Sequence, residues 1–308
     1  MNPGRSPLTI VDAHQHFWNL QENRHPWLQD DPPIPFRYGD YRALRRNYLP
    51  ADYRRDFGSH RVVKSVYVET EWDPGDPIGE TRWVESLAAR HGFPHAIVAQ
   101  AWLHRPDAGE VLAAQAAFPR VRSVRHKPAA VSRPGLLRPD APPRAGSMGD
   151  PAWRAGYAHL ARHGLSFDLQ TPYWHLPEAA ALAADFPRTT IILNHTGLPV
   201  NRSQEGVRAW RGAMETLAGQ PNTAVKISGL GLPGQPWRVS DNGPLVLDAI
   251  AIFGVERCMF ASNFPVDGLV ADFDTIFSGF KEIVAHFPRK EQEALFHDNA
   301  LRFYRIAP

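Results

Sequence analysis

Cysteine is nearly absent: the 308 residues contain one, Cys258. A single thiol closes no internal disulfide, so the fold does not depend on an oxidising compartment, and the cytoplasm is the expected location. Long apolar runs are missing as well. The N-terminal run Met1 to Pro7 is polar, and the apolar stretch after it, Leu8 to Val11, is far too short for a signal-peptide core or a membrane span. The expectation is a soluble protein without a membrane partner. Nor is there a block of like charge. The 34 basic and 32 acidic residues leave a formal charge of +2 and are spread along the chain, which gives nucleic acid no electrostatic footprint. Repeats and low-complexity tracts are also missing.

What is abundant is apolar and aromatic. With 43% hydrophobic and 11% aromatic residues the chain can bury a large core. The 29 prolines and 9 tryptophans are many for this length, and many of the prolines lie in Pro26 to Pro35 and Pro128 to Pro151. These stretches read as long structured loops, which are often functional.

Eight strand-length apolar runs are predicted: Thr9–Ala13, Val62–Val68, Ala96–Ala101, Val121–Arg125, Ser166–Leu169, Thr190–Leu193, Ala224–Ile227 and Arg257–Phe260. Helical periodicity fills the gaps at Glu80–Arg90, Ala108–Ala117, Trp153–Arg162, Pro177–Ala184, Glu205–Leu217 and Pro244–Phe253, with Val270–Ala285 and Lys290–Phe296 following the last strand. Eight strands each followed by a helix predict a single-domain (β/α)8 barrel spanning 1–308. Two connections are long, about 17–53 and 127–150. Both follow strands, so both are expected over the catalytic mouth.

The strongest local signal is Thr9-Ile10-Val11-Asp12-Ala13-His14-Gln15-His16. Regular alternation would throw Asp12, His14 and His16 to one side of the first strand. Two imidazoles at that spacing can grip one metal ion or one substrate oxyanion. Glu69, at the end of the second strand with Glu71, would complete a metal site with them, although solvated loop acids are the plainer account of both. Arg125 and His126 are adjacent, so only one can face the interior, and either would polarise a carbonyl or bind an acid. Lys226 lies between Val225 and Ile227 in the seventh strand, where an inward lysine would anchor a carbonyl or carboxylate; a snorkelling surface lysine is the ordinary alternative. Trp18, Trp27, Trp72, Tyr173 and Trp174 follow strands and form either an aromatic wall or loop packing.

Asp12-Ala13-His14-Gln15-His16-Phe17-Trp18 resembles the first-strand motif of the amidohydrolase-related family that contains the sugar-lactone and pyrone-dicarboxylate lactonases. Val124-Arg125-His126 is similar to that family's fourth strand, Ser166-Phe167-Asp168-Leu169 to its fifth, and Leu193-Asn194-His195-Thr196-Gly197-Leu198-Pro199 to its sixth-strand histidine motif. Val225-Lys226-Ile227-Ser228-Gly229-Leu230 matches the seventh, and Asn299-Ala300 with Phe303-Tyr304 the C-terminal helix. The matches run in order along nearly the whole chain. They imply a barrel hydrolase acting on a small-molecule lactone, with His14, His16 and His195 at the reaction centre. The resemblance also implies a divalent metal, zinc before others, in some members and a metal-free site in others. A homo-oligomer is compatible with it.

One departure stands out. Where the family carries an aspartate after the eighth strand, this chain has Ala261-Ser262-Asn263-Phe264-Pro265-Val266-Asp267. An amide has no basic lone pair at neutral pH, so Asn263 holds the catalytic position without being able to activate water. Asp267, a histidine or metal-bound hydroxide would have to replace it. The alternative for Asp267 is a helix cap near Val270. Two other functions stay open at this point: a metal-dependent decarboxylase of aromatic or unsaturated acids, and a degenerate barrel that only binds a small acid.

Overall fold

In the computed structural model, residues 7–138 and 141–308 are described. The polar run up to residue 6, and residues 139–140 of the second long loop, lie outside them. The strands are β1 (Ile10–Gln15), β2 (Val62–Val68), β3 (Ala96–Gln100), β4 (Val121–Arg125), β5 (Ser166–Leu169), β6 (Ile191–Leu193), β7 (Thr223–Ile227) and β8 (Cys258–Phe260). They form one sheet in sequence order, and every pair is parallel. Short Val/Ile/Ala-rich strands covered on both faces are what a parallel sheet requires.

Closure comes from the residues after β8. The Asn263 N–H donates to the His14 carbonyl at 2.8 Å, and the His16 N–H to the Phe264 carbonyl at 2.8 Å. The Asp12 carboxylate adds a side-chain tie, accepting from the Ser262 N–H at 2.8 Å and the Ser262 hydroxyl at 2.6 Å. The sheet is thus the predicted barrel.

Two apolar layers follow from the pleat. Phe167, Leu193, Val225 and Phe260 face the surrounding helices, whereas Val66, Val98, Ile192, Ala224 and Met259 belong to a separate inner cluster. The C-terminal segment joins the inner cluster through Ala300 and Tyr304. On the outside, Phe273, Phe277 and Phe280 recur at helical spacing along Phe273–Ile283, and Phe280 stacks on Phe260 of β8 at 4.5 Å.

Three departures from the expected elements stand out. The first long connection holds a helix, Pro50–Phe57, started by Pro50 and by Asp52 accepting from the Leu49 N–H at 3.0 Å. The helix predicted from Pro244 begins at Val239 and carries Pro244 inside it. The segment predicted as Trp153–Arg162 divides into Pro151–Tyr157 and His159–Arg162. Among the described residues no helix is long and apolar enough to cross a membrane.

Candidate active site

The two histidines of β1 reach the barrel mouth because the strand is not regular. Its register with β2 shifts between Asp12 and Gln15. Val11 and Ala13 pack in the inner cluster, so Asp12 is not with the histidines as alternation predicts. Its carboxylate instead accepts from Tyr53 Oη at 2.7 Å, on the outer helix Pro50–Phe57, as well as from Ser262. Past the irregularity His14 and His16 turn to the same place, with Nε2 atoms 3.2 Å apart.

His195 arrives from the other side of the barrel. It opens a tight turn after β6, and its ring centroid is 4.5 Å from that of His14. The sequence therefore brings three imidazoles from two strands to one point. Backbone conformation marks the same face: Glu71, His195, Thr196, Leu198 and Asn263, all just past strand ends, have φ between 53° and 56°. Non-glycine residues held there cost about 1–3 kcal/mol each, and such strain gathers at functional sites. Gly229, after β7, has φ +65°, and a Cβ on it would stand 2.7 Å from the His195 Cβ and 2.9 Å from Arg37. Only glycine lets those two side chains sit against the strand end.

The proton position of His16 follows from a partner that can only accept. His16 Nδ1 lies 2.8 Å from the Val68 carbonyl, so the proton is on Nδ1 and the Nε2 lone pair is free. Asn263 Nδ2 donates to Asp267 Oδ1 at 2.6 Å, which turns Asn263 Oδ1 towards His16 Nε2 at 3.2 Å. His195 Nδ1 is 3.0 Å from the Ser228 hydroxyl, which is buried. With that hydroxyl donating, the His195 proton sits on Nε2.

All three imidazoles are uncharged. Burial, with the nearby positive charge of Arg125, depresses His16 to about 3. His14 and His195 lie well below the usual range, first through burial and then through Lys226 and Arg37 respectively. His25 and His126 are held at about 4, mainly by burial. Histidines whose folded pKa is depressed contribute stability above the unfolded value of about 6.5, and lose it as pH falls towards the folded value. Buried Glu80, pushed up to about 7 by desolvation and Glu69, works in the opposite sense but offsets only one of the five. Urea titrations are expected to show stability falling by at least ~1.4 kcal/mol per pH unit between about pH 6 and 5. An unchanged midpoint would show that the imidazoles titrate as free histidines.

Several predicted roles need correction. Asp267 does not point at the histidines and caps no helix. Its Oδ1 accepts from Asn263, from Tyr38 Oη at 2.8 Å and from Arg37 at 3.1 Å, and its Oδ2 accepts from the Gly229 N–H at 3.0 Å. With three donors on Oδ1 and one on Oδ2, it is tied to Asn263, Tyr38, Arg37 and Gly229 instead of to the histidines. Glu69 does not complete a metal site: Arg125 Nε donates to one oxygen and the Glu71 N–H to the other. Arg125 is the member of its pair that faces the interior, while His126 Nδ1 accepts from the Leu103 N–H and Trp153 Nε1. Lys226 is fully buried against Asp168 at 2.5 Å and under the Tyr304 ring, away from the cavity. Tyr173 is buried against Trp174 and lines neither of the two cavities at the mouth. Trp18 does line one. Arg37 and Lys127 were not singled out in the sequence; nothing local distinguishes a loop arginine that folds back over the mouth.

The cavity beside the histidines measures about 280 Å³ and is lined by His16, His195, Asn263, Arg125, Arg37 and Lys127, with Trp18, Trp27 and Phe36 as an apolar wall. Its cations are compensated: Arg37 pairs with Asp267, Arg125 with Glu69 and Lys127 with Glu71.

An eight-stranded parallel barrel with its polar groups gathered past the strand ends is a barrel of the enzyme type. The chain belongs to the amidohydrolase family, whose model matches residues 11–306. A protein of Sinorhizobium fredii known only as uncharacterized protein y4mH is 43% identical over 98% of this chain and 100% of its own length. An L-fucono-1,5-lactonase of Burkholderia ambifaria is 29% identical over 96% of this chain and 95% of its own. A crystal structure of an amidohydrolase from Burkholderia multivorans with bound zinc superposes with a TM-score of 0.79 at 25% identity, covering 97% of this chain and 100% of that one.

Whether a metal suits this chain is decided by its donors. Among the described residues no three His, Cys, Asp or Glu side chains form a ligand group. His16 Nε2 presents a lone pair 3.2 Å from both Asn263 Oδ1 and His14 Nε2, and all three atoms can serve one ion when the His14 proton is on Nδ1. Separations of 3.2 Å suit ligands about 2.0–2.1 Å from a tetrahedral ion. The set fits a divalent ion, held less firmly than by a carboxylate, because the amide brings no charge and His14 Nδ1 has no partner to orient it.

Proposed function

We propose that this protein is a lactonase that opens small, uncharged sugar lactones. Water adds to the ring carbonyl carbon, the ring C–O bond breaks, and the proton from water ends on the released hydroxyl. The observation that carries the reading is the convergence of His14, His16 and His195, all neutral, at one point, where His16 and His195 line the cavity and His14 lies buried against them. With the Ser228 hydroxyl donating to Nδ1, His195, which lines the cavity, offers an uncharged Nε2–H to the oxyanion of the tetrahedral intermediate. A neutral, low-pKa imidazole is suited to that task, because it stabilises negative charge without giving up its proton early.

His14, His16 and Asn263 would hold the divalent ion. When bound it supplies a Lewis acid and lowers the pKa of water, which is what the chain lacks without a free carboxylate at the mouth. Asp267 keeps the Asn263 oxygen turned to the histidines. Substrate charge follows from the lining: each cation already has its carboxylate, so a dicarboxylate would displace an internal ion pair to bind. The apolar wall of Trp18, Trp27 and Phe36 suits the face of a sugar ring instead. The likeness to an L-fucono-1,5-lactonase supports this choice.

The test is acid release from a panel of 1,5- and 1,4-aldonolactones, beside a pyrone dicarboxylate and a set of aromatic acids. Sugar lactones are expected to open well above their spontaneous rate, chelation to slow them, and zinc to restore them. No opening of any lactone sinks the proposal, and carbon dioxide release from an aromatic acid would assign the site to decarboxylation.

A further inference from the structure

A second cavity, about 410 Å³, adjoins the first and is larger than it. Trp27, Ile34, Glu71, Arg125 and Lys127 line both, so the Glu71–Lys127 ion pair stands on the rim where they meet. Beyond that rim the wall is aromatic, with Trp72 and Trp102 joining Trp27. Its polar groups are uncharged or already paired. Gln100, 5% exposed, lines the cavity; its Oε1 is buried, which leaves its Nε2–H as the amide group at the cavity wall. His126 accepts two hydrogen bonds at Nδ1, so its remaining hydrogen-bonding group is a donor, Nε2–H. Arg125 is paired with Glu69, and Asp30 with Arg24.

Two uncharged donors, Gln100 Nε2–H and His126 Nε2–H, set among indole faces match a ring that is apolar on its face and hydroxylated at its edge. The first cavity accommodates a monosaccharide lactone and leaves this chamber unused.

We propose that the second chamber is a subsite for another sugar ring, so that the preferred substrate is an aldonolactone carrying a glycosyl substituent. The proposal rests on the lactonase reading of the first cavity. The substituent stacks among Trp27, Trp72 and Trp102, and Gln100 Nε2–H and His126 Nε2–H donate to its ring or hydroxyl oxygens.

Rates with glucono-1,5-lactone are to be compared with those on lactobiono-, cellobiono- and maltobionolactone. At least one disaccharide lactone is expected to exceed the monosaccharide in kcat/KM by about tenfold or more. Gln100→Leu and Trp102→Ala should each bring that ratio towards one, and because the ratio is read within one variant, partial misfolding does not mimic the result. If monosaccharide lactones are opened but no disaccharide lactone is preferred, the subsite is overturned while the lactonase reading stands. If no lactone is opened, the lactonase reading fails, and indole fluorescence decides the subsite. Saturable quenching by lactose or cellobiose, weakened about tenfold in Gln100→Leu, would support it; absence of quenching would overturn it.

Discussion

Replacing His195 by alanine is expected to lower kcat and kcat/KM together, by on the order of 10²–10³, with little change in KM. The imidazole touches the site through one N–H, and its basicity is suppressed by burial and by Arg37, so its contribution falls on the transition state, where the oxyanion forms. A residue that merely bound the substrate would raise KM instead. Ser228→Ala supplies the control, since removing the hydroxyl hydrogen-bonded to His195 Nδ1 should give a smaller loss of the same kind. Loss of a packing residue would look different again, with a lower urea midpoint and proportionate loss of active protein. A His195→Ala enzyme within threefold of the parent would mean that the oxyanion is met elsewhere, and the assignment of the site would fail.

The barrel was legible in the sequence because each strand is a short apolar run and, from the second on, helical periodicity follows most of them, and the strand bounds agree with the structure to within two residues. His14, His16, His195, Asn263 and Arg125 were legible because each sits at or just past a strand end. The rest of the site depends on features that no local pattern carries. Asp12 departs from the alternation at an irregularity that is visible only in the β1–β2 register. Asp267 lost its predicted catalytic role to four donors from three separate regions, Tyr38 and Arg37 in the first long loop, Asn263 after β8 and Gly229 after β7. The helix Pro50–Phe57 was hidden by its length, since eight residues starting at a proline give too few turns for a period to show.

Asp168→Ala is expected to destabilise the fold by roughly 3–5 kcal/mol, the cost of leaving a buried charge without its partner. Asp168 is the hub of the inner barrel: it pairs with Lys226 of β7, accepts from Asn194 Nδ2 at 2.9 Å beside β6, and accepts from Tyr304 Oη at 2.9 Å in the C-terminal segment. Both charged groups are fully buried, and desolvation already depresses Lys226 to about 8 in spite of the carboxylate. Without Asp168 the ammonium would have to deprotonate or draw water into the core. Since Asn194 precedes His195, the same substitution should also loosen the turn that holds the imidazole, so activity is expected to fall before the protein unfolds. The double replacement Asp168→Leu with Lys226→Met separates the two effects: it should recover much of the urea midpoint, because a buried pair exchanged for apolar packing is often neutral, while leaving the activity low. A single variant that loses less than ~1 kcal/mol would show that Lys226 is uncharged in the native protein, and recovery of activity by the double variant would break the link drawn between the hub and the His195 turn.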